Sequence, residues 1–276
     1  MSWAPLADAA DESIFGGKAA ALARAVRAGL PVPPGLALAT SFVEAVGGGE
    51  RAAADELAAL PVPAGPLAVR SSAIGEDSAA ASFAGQHASL LNVCGGPALL
   101  EAVQAVWRSA SSDAALAYRR RLGIEGPPRM GVVVQRLAAA DVAGVLFTVN
   151  PVTGAEERVI EAAWGLGEAV VQGMVVPDRY RVSPAGELLE WVPGHMRTAV
   201  RPRAGGSVAE EPLAAGLDGA PCLDDARILA LHRLALDCER VWDGAHDIEW
   251  AFAGGEVVLL QRRAITRLPK RAASPS

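Results

Sequence analysis

Cysteine, histidine and aromatic residues are scarce in this chain of 276 residues, and each shortage removes a class of chemistry. The three cysteines, Cys94, Cys222 and Cys238, are odd in number and far apart. They supply neither a disulfide framework nor metal-ligand spacing, so reduced thiols in a cytoplasmic protein are expected. The four histidines, His87, His195, His232 and His246, form no compact ligand pattern. No Ser-His-Asp or Cys-His arrangement stands out, which leaves hydrolase chemistry without support. Basic charge is not in excess either. A net charge of −6 argues against nucleic-acid and anionic-membrane partners, although a small anionic ligand needs only a few local cations. No uncharged apolar run approaches the ~20 residues of a membrane span. The opening MSWAPLADAADES lacks a basic region followed by an apolar core, so no signal peptide is expected. Internal repeats are absent as well.

What is present is a globular composition, 51% hydrophobic and 20% charged, long enough for one large domain or two modest ones. Gly16-Gly17-Lys18 opens an Ala-rich helical run that ends at Gly29, and LPVPPG then forbids helix. The middle of the chain is β-rich, with β-branched runs in MGVVVQRL, GVLFTVN and ERVIEAAW bounded by turn residues. DRYRV and ELLEWV, separated by SPAG, read as a hairpin. His195 to Pro221 is Gly/Pro/Ala-rich without period and reads as a mobile connection. Asp224 or Asp225 caps a closing helix whose apolar side carries Ile228, Leu231, Leu234, Cys238, Val241 and Trp242.

The last structured stretch, HDIEWAFAGGEVVLLQRRAIT, is a hairpin with an unusually polar end. Asp247 and Glu249 share one face, and Ile248, Trp250 and Phe252 the other. Register decides whether Gln261 and Arg263 join the first set. A two-residue turn at Gly254-Gly255 pairs Glu249 with Leu260 and sends Gln261 to the opposite face. A three-residue loop with a glycine bulge makes Glu249 and Gln261 diagonal neighbours. In that case an oxygen-rich pair, completed by water and phosphate, suits Mg²⁺, and Arg263 can meet a phosphate. The plain alternative is a solvated face with surface ion pairs.

Other stretches carry phosphate-friendly groups. GGK before a helix places glycines, a helix N-terminus and Lys18 together, although it is not the GxxxxGK[ST] loop. Arg70 ends an apolar strand, where a charge is costly unless used or paired, with Glu76 or Asp77 as ordinary partners. LAVRSS (Leu67 to Ser72) reads as a short strand and Ala73 to Gln86 as an exposed loop, with Ser71, Ser72, Gly75, Ser82 and Gly85 giving a flexible, donor-rich stretch that suits a lid over phosphates. Tyr118-Arg119 with Arg120 and Arg121 ends a helix, where basic residues also serve the dipole. VVVQRLAA is either plain core or a strand whose end offers backbone groups to a purine. Glu161 and Glu168 flank a Gly-hinged turn as second metal ligands or as surface carboxylates.

Taken in order, GGKAAALARAVRAGLPVPPG, AVRSSAIGEDSAAASFAGQ, SDAALAYRRR, VVVQRLAAADVAGVLFTVNPVTG, IEAAWGLGEAVVQGMVVPDRY and DIEWAF…LLQRRAIT resemble a known region. It is the N-terminal nucleotide-binding region of the phosphoenolpyruvate synthase and pyruvate phosphate dikinase family, which also includes rifampicin phosphotransferase. The resemblance spans roughly residues 14 to 266. It implies an α/β (α+β) ATP-grasp fold, with two subdomains clamping ATP between mixed sheets. The expected division is residues 1–125 and 126–270, with a tail at 271–276. By matching position, Lys18, Arg70, Arg119 and Arg263 would serve catalysis on the phosphates, with Ser71 and Ser72 beside them. Gln135, Arg136 and Leu137 would form the adenine-side hinge, Glu161 would touch the nucleotide, and Glu249 and Gln261 would bind Mg²⁺.

In that family ATP phosphorylates a histidine on a separate swivelling domain, with AMP and phosphate formed. None of the four histidines here stands in the swivelling-domain motif. Ala264 replaces the proline usual after Arg263, and the lysine common after the 185–190 hairpin is replaced in PGHMRTAV, where Arg197 is the nearest cation. The expectation is a cytoplasmic phosphotransferase whose acceptor lies on a partner protein. A self-sufficient kinase or ligase acting on a small molecule, and a nucleotide-binding module without turnover, are the alternatives.

Overall fold

The computed structural model describes residues 1–75, 89–121 and 128–266, without the side chains of residues 114, 118, 119 and 121. The chain divides into two compact units, each with its own sheet. The first comprises Met1–Gly29, Pro33–Leu137 and Pro202–Val208, and the second Leu30–Val32, Ala138–Arg201 and the chain from Ala209 onward. No described helix is long and apolar enough to cross a membrane.

In the first unit the strands are β1 (Trp3–Pro5), β2 (Gly35–Leu38), β3 (Leu67–Ala73), β4 (Ser89–Val93) and β5 (Met130–Arg136). They form one sheet in the order β1-β2-β5-β3-β4. The helices are α1 (Glu12–Phe15), α2 (Gly17–Arg27), α3 (Thr40–Gly47), α4 (Arg51–Ala58), α5 (Gly96–Ala110) and α6 (Asp113–Arg121). α2 ends as its composition requires: Arg24 and Arg27 occupy the last turn, where they favour the dipole, and Gly29 follows in the left-handed region at φ 78°. Helices α2 and α5 both pack on β3 and β5. Every residue of β3 is consequently buried, including the charged Arg70.

The second unit holds β6 (Val142–Phe147), β7 (Arg158–Trp164), α7 (Glu168–Val171), β8 (Asp178–Val182), β9 (Leu188–Val192), α8 (Asp225–Val241), β12 (His246–Ala253) and β13 (Glu256–Ala264), while β10 (Thr198–Arg203) and β11 (Ser207–Pro212) are divided between the two units. Its main sheet runs β13-β12-β6-β7-β8-β9. Asp224 is the cap of α8, its carboxylate accepting from the Arg227 amide at 2.8 Å. One sheet face is apolar, with Ile248, Trp250, Leu146, Ile160 and Tyr180 almost fully buried on the side of α8. The opposite face carries the polar residues of the closing hairpin.

Four expectations change. The ladders described in both sheets are antiparallel rather than mixed, because successive strands such as β6, β7, β8 and β9 follow one another as neighbours. The division falls at Leu137 instead of residue 125: β5 pairs with β2 and β3, so it belongs to the first unit although it opens the β-rich middle of the sequence. The stretch from His195 to Pro221, read as a mobile connection, contains the β10–β11 hairpin, turned by Gly205 and Gly206 at φ 92° and 91°. Buried Asn92 fixes the turn by donating from Nδ2 to the Arg203 and Ser207 carbonyls. Sequence periodicity reads as helix from about Pro97 to Arg121, and the structure breaks that stretch at Ser111-Ser112 into α5 and α6.

Candidate functional site

In the first unit the GGK turn docks directly on β3. Gly16 lies at φ 83°, and a Cβ placed there would sit 1.9 Å from the Ser72 carbonyl oxygen, so only glycine fits. That approach lets the Ser72 hydroxyl accept from the Ala19 amide at 3.0 Å, capping the α2 N-terminus from another element. Lys18 is buried at 3% exposure, with Nζ donating to the Ser71 carbonyl at 2.6 Å. Ser71 and Ser72 are thus buried residues of the strand read in LAVRSS, and not donors of a flexible loop. Their polarity serves α2, and one α2 amide expected to face an anion is taken by Ser72. Arg70 stands next along β3, opposite Val133 and Ser89. Ser82, Gly85, His87, Glu76 and Asp77 lie outside the described residues. Arg119 falls on α6, and its side chain is likewise outside the description.

The end of β5 is similarly committed. Gln135 is buried and donates from Nε2 to the Pro33 carbonyl at 3.0 Å. The Arg136 and Leu137 amides donate to Pro34 and Pro66 carbonyls, both at 2.9 Å. These two N–H groups, expected on a purine edge, are held inside the unit. Any adenine contact from this segment therefore comes from carbonyls and side chains. The Arg136 side chain is exposed.

In the second unit the closing hairpin settles its register in a way neither sequence alternative anticipated. The turn at Gly254-Gly255 has two residues, pairing Ala253 with Glu256 and Trp250 with Leu259. A bulge then shifts the ladder by one residue, so that Glu249 lies directly opposite Gln261 and Asp247 opposite Arg263. Across the neighbouring strands Glu249 faces Val145, and Val145 faces Glu161. Directly opposed residues share a face, so Glu161, Val145, Glu249 and Gln261 form one row across four strands. Arg179 of β8 extends it beyond Glu161. Gln261 is 3% exposed, whereas Glu161, Glu249 and Arg263 are half-buried. Glu168 begins α7, an element outside the ladder that forms this row, and its carboxylate accepts from Gln172 at 2.7 Å.

The donor set fits magnesium better than a softer metal. Among the described residues no three His, Cys, Asp or Glu side chains stand together as a ready cage. The row instead offers one carboxylate and one amide oxygen on adjacent strands, an all-oxygen pair that leaves positions for water and phosphate. Glu161 is two strands from Glu249, about 10 Å at the backbone.

Two supports were not read from the sequence. Asp178, 2% exposed, accepts from the Tyr180 hydroxyl at 2.9 Å, the Gly194 amide at 2.7 Å and the Cys222 amide at 2.9 Å. Burial pushes the Tyr180 phenol and the Cys222 thiol above their ordinary ranges, so neither ionises there. Glu157 is held below the usual carboxylate range, chiefly by Arg181 at 2.8 Å, and also accepts from Asn150. A buried acid such as Asp178 is a signal that could have been sought, but besides Tyr180 its partners are backbone amides of distant segments that no motif displays.

The sequence from residue 50 to residue 276 matches the family model described as pyruvate phosphate dikinase, AMP/ATP-binding domain. The chain belongs to this family. Arg70, the β5 end and the Glu161–Gln261 row all lie within the matched residues, while Lys18 precedes them. A probable phosphoenolpyruvate synthase of Methanothermobacter thermautotrophicus is 38% identical over 204 residues, covering 73% of this chain and 30% of that protein. A rifampicin phosphotransferase of Streptomyces sviceus is 38% identical over 203 residues, covering 73% and 23%. The prodigiosin synthesizing transferase PigC of Serratia marcescens is 35% identical over 285 residues, covering 93% and 32%. The chain spans less than a third of each of these relatives. Among solved structures, D-alanine–D-alanine ligase from Helicobacter pylori overlaps 92% of the chain and 54% of its own at TM-score 0.43 and 10% identity. Carboxyaminoimidazole ribonucleotide synthase from Aspergillus clavatus, complexed with ATP, overlaps 95% and 47% at TM-score 0.41 and 10% identity. Family membership rests on the sequence match, and with it the assignment of an AMP/ATP-binding domain.

Proposed function

We propose that this domain binds Mg-ATP in an ATP-grasp manner and transfers a phosphoryl group to a histidine on a separate swivelling domain. ATP, the histidine and water would become phosphohistidine, AMP and phosphate. The observation that carries this reading is the row of Glu161, Glu249 and Gln261 on one sheet face, with Arg263 one step along it. Phosphoryl transfer is mainly positioning and charge neutralisation; the row would position the ion, and that ion with Arg263 would neutralise the phosphates. Lys18, Arg70 and Arg119 would hold phosphates, and Gln135 to Leu137 would border the adenine. Glu249 and Gln261 would hold the magnesium, with Arg263 on a phosphate oxygen. The ion, when bound, would neutralise charge developing on the transferred group.

A second reading has one observation in its favour. The relative named as a prodigiosin synthesizing transferase aligns with 93% of this chain, against 73% for the phosphoenolpyruvate synthase and the rifampicin phosphotransferase. On that reading the acceptor is a small molecule in a biosynthetic route. Analysis of the nucleotides formed from Mg-ATP separates the two. AMP and phosphate appearing only when a separately expressed swivelling histidine domain is added supports transfer to histidine. Turnover that needs a metabolite and no second protein replaces it with the second reading.

A further inference from the structure

The bulge in the closing hairpin decides which residues reach the polar face, and the other face of the same hairpin carries a device that holds it. In the unbulged register of a two-residue turn, Leu260 would oppose Glu249, Gln261 would oppose Ile248 and Arg262 would oppose Asp247. A slip of one residue therefore exchanges Gln261 and Arg262 between the two faces. The slipped form has its own attraction, an Arg262–Asp247 pair of opposite charge across the strands.

Observed instead is Arg262 on the α8 side of the sheet. Its Nη2 and Nε lie 2.7 Å and 3.2 Å from Nδ1 of His246, and its guanidinium lies 4.9 Å from the Trp242 ring centroid. A guanidinium only donates, so Nδ1 is the acceptor and the proton sits on Nε2, which donates to the Trp242 carbonyl at 3.2 Å. His246 is fully buried, and its backbone amide donates to the Thr148 hydroxyl at 2.8 Å. Trp242 is the C-cap of α8, so the three side chains tie the end of that helix to both hairpin strands.

We infer that His246, Arg262 and Trp242 form a register latch: by holding Arg262 on the α8 side, they keep Gln261 and Arg263 on the face of Glu249. His246 and Arg262 are positioning residues in this account, acting through the ladder and touching no nucleotide. The inference takes its functional meaning from the magnesium reading above, but the register itself can be measured without any ligand.

The test uses cross-strand nuclear Overhauser contacts together with calorimetric ATP binding in the presence and absence of Mg²⁺. In His246→Ala, contacts between positions 249 and 261 are expected to give way to contacts between 249 and 260. The Mg²⁺-dependent gain in ATP affinity falls about tenfold, as loss of one charge-assisted hydrogen bond would give, and affinity without Mg²⁺ falls as well because Arg263 leaves the same face, while adenosine affinity changes less than about twofold. His246→Gln, which keeps a neutral acceptor and donor, restores both readouts. So does His246→Ala with Arg262→Met, because an apolar side chain has no reason to turn toward Asp247. Retention of the 249–261 contacts and of the full Mg²⁺ gain in His246→Ala overturns the latch. If that variant does not fold, the two rescuing variants decide: failure of either to fold with the 249–261 contacts overturns it equally. A register that moves while Glu249→Ala keeps Mg²⁺-dependent turnover leaves the latch standing and removes the magnesium assignment.

Discussion

Glu249 stands directly opposite Gln261, one residue out of step with the turn that joins their strands. The half of the hairpin near the turn obeys a two-residue loop, and the half at the site obeys a bulge. Only the second arrangement puts a carboxylate and an amide oxygen side by side on one face, in line with Val145 and Glu161. The family match points to a nucleotide, and this local shift sets the two oxygen-bearing side chains on one face.

Arg70 lies on a wholly buried strand beside the two serines that hold Lys18 and α2. Arg70→Ala is expected to weaken ATP binding about tenfold or more, the scale of one charge-assisted hydrogen bond, and to leave adenosine binding nearly unchanged. Calorimetry with both ligands measures the difference. Equal losses for ATP and adenosine would make Arg70 a residue of the fold alone.

Gly16→Ala brings a Cβ to within 1.9 Å of the Ser72 oxygen at a backbone φ of 83°. The strain and the displaced Ser72–Ala19 hydrogen bond together cost on the order of 3 kcal/mol. Thermal unfolding should show a fall of several degrees. An unchanged melting temperature would contradict the tight docking of α2 on β3.

Burial, with Arg262 and Arg158 adding positive charge nearby, lowers the His246 pKa from an ordinary 6.5 to about 4. The unfolded chain therefore binds this proton first as pH falls. Its stabilising contribution is complete above about pH 6.5 and is lost progressively toward pH 4. Denaturant titrations across that range should show declining stability, with a shallower decline in His246→Gln. Equal slopes for the two proteins would place the acid sensitivity elsewhere.

Much of this arrangement was legible before the structure. The motif order named the family, and the alternation in DIEWAF placed Asp247 and Glu249 on the polar face. Register was not legible, because a period of two is compatible with either face once a single residue slips. Ser71 and Ser72 misled in another way. Placed at the end of a strand, they read as donors for phosphates, yet one lends its carbonyl to a buried lysine and the other its hydroxyl to a helix start. The Gly205-Gly206 pair was a turn signal flanked by two short strands, and the glycine- and proline-rich stretch around it hid the period. Asp178 could not be inferred, since its donors come from three separate segments of backbone and side chain.

The most direct test is turnover against Mg²⁺ concentration for the wild-type protein and for Glu249→Ala, with the swivelling histidine domain supplied. The account predicts that the variant loses Mg²⁺-dependent formation of AMP and phosphohistidine by about a hundredfold or more, the scale of removing a principal electrostatic contact to the transferring group. Wild-type rates in Glu249→Ala would contradict it and remove the row from the chemistry.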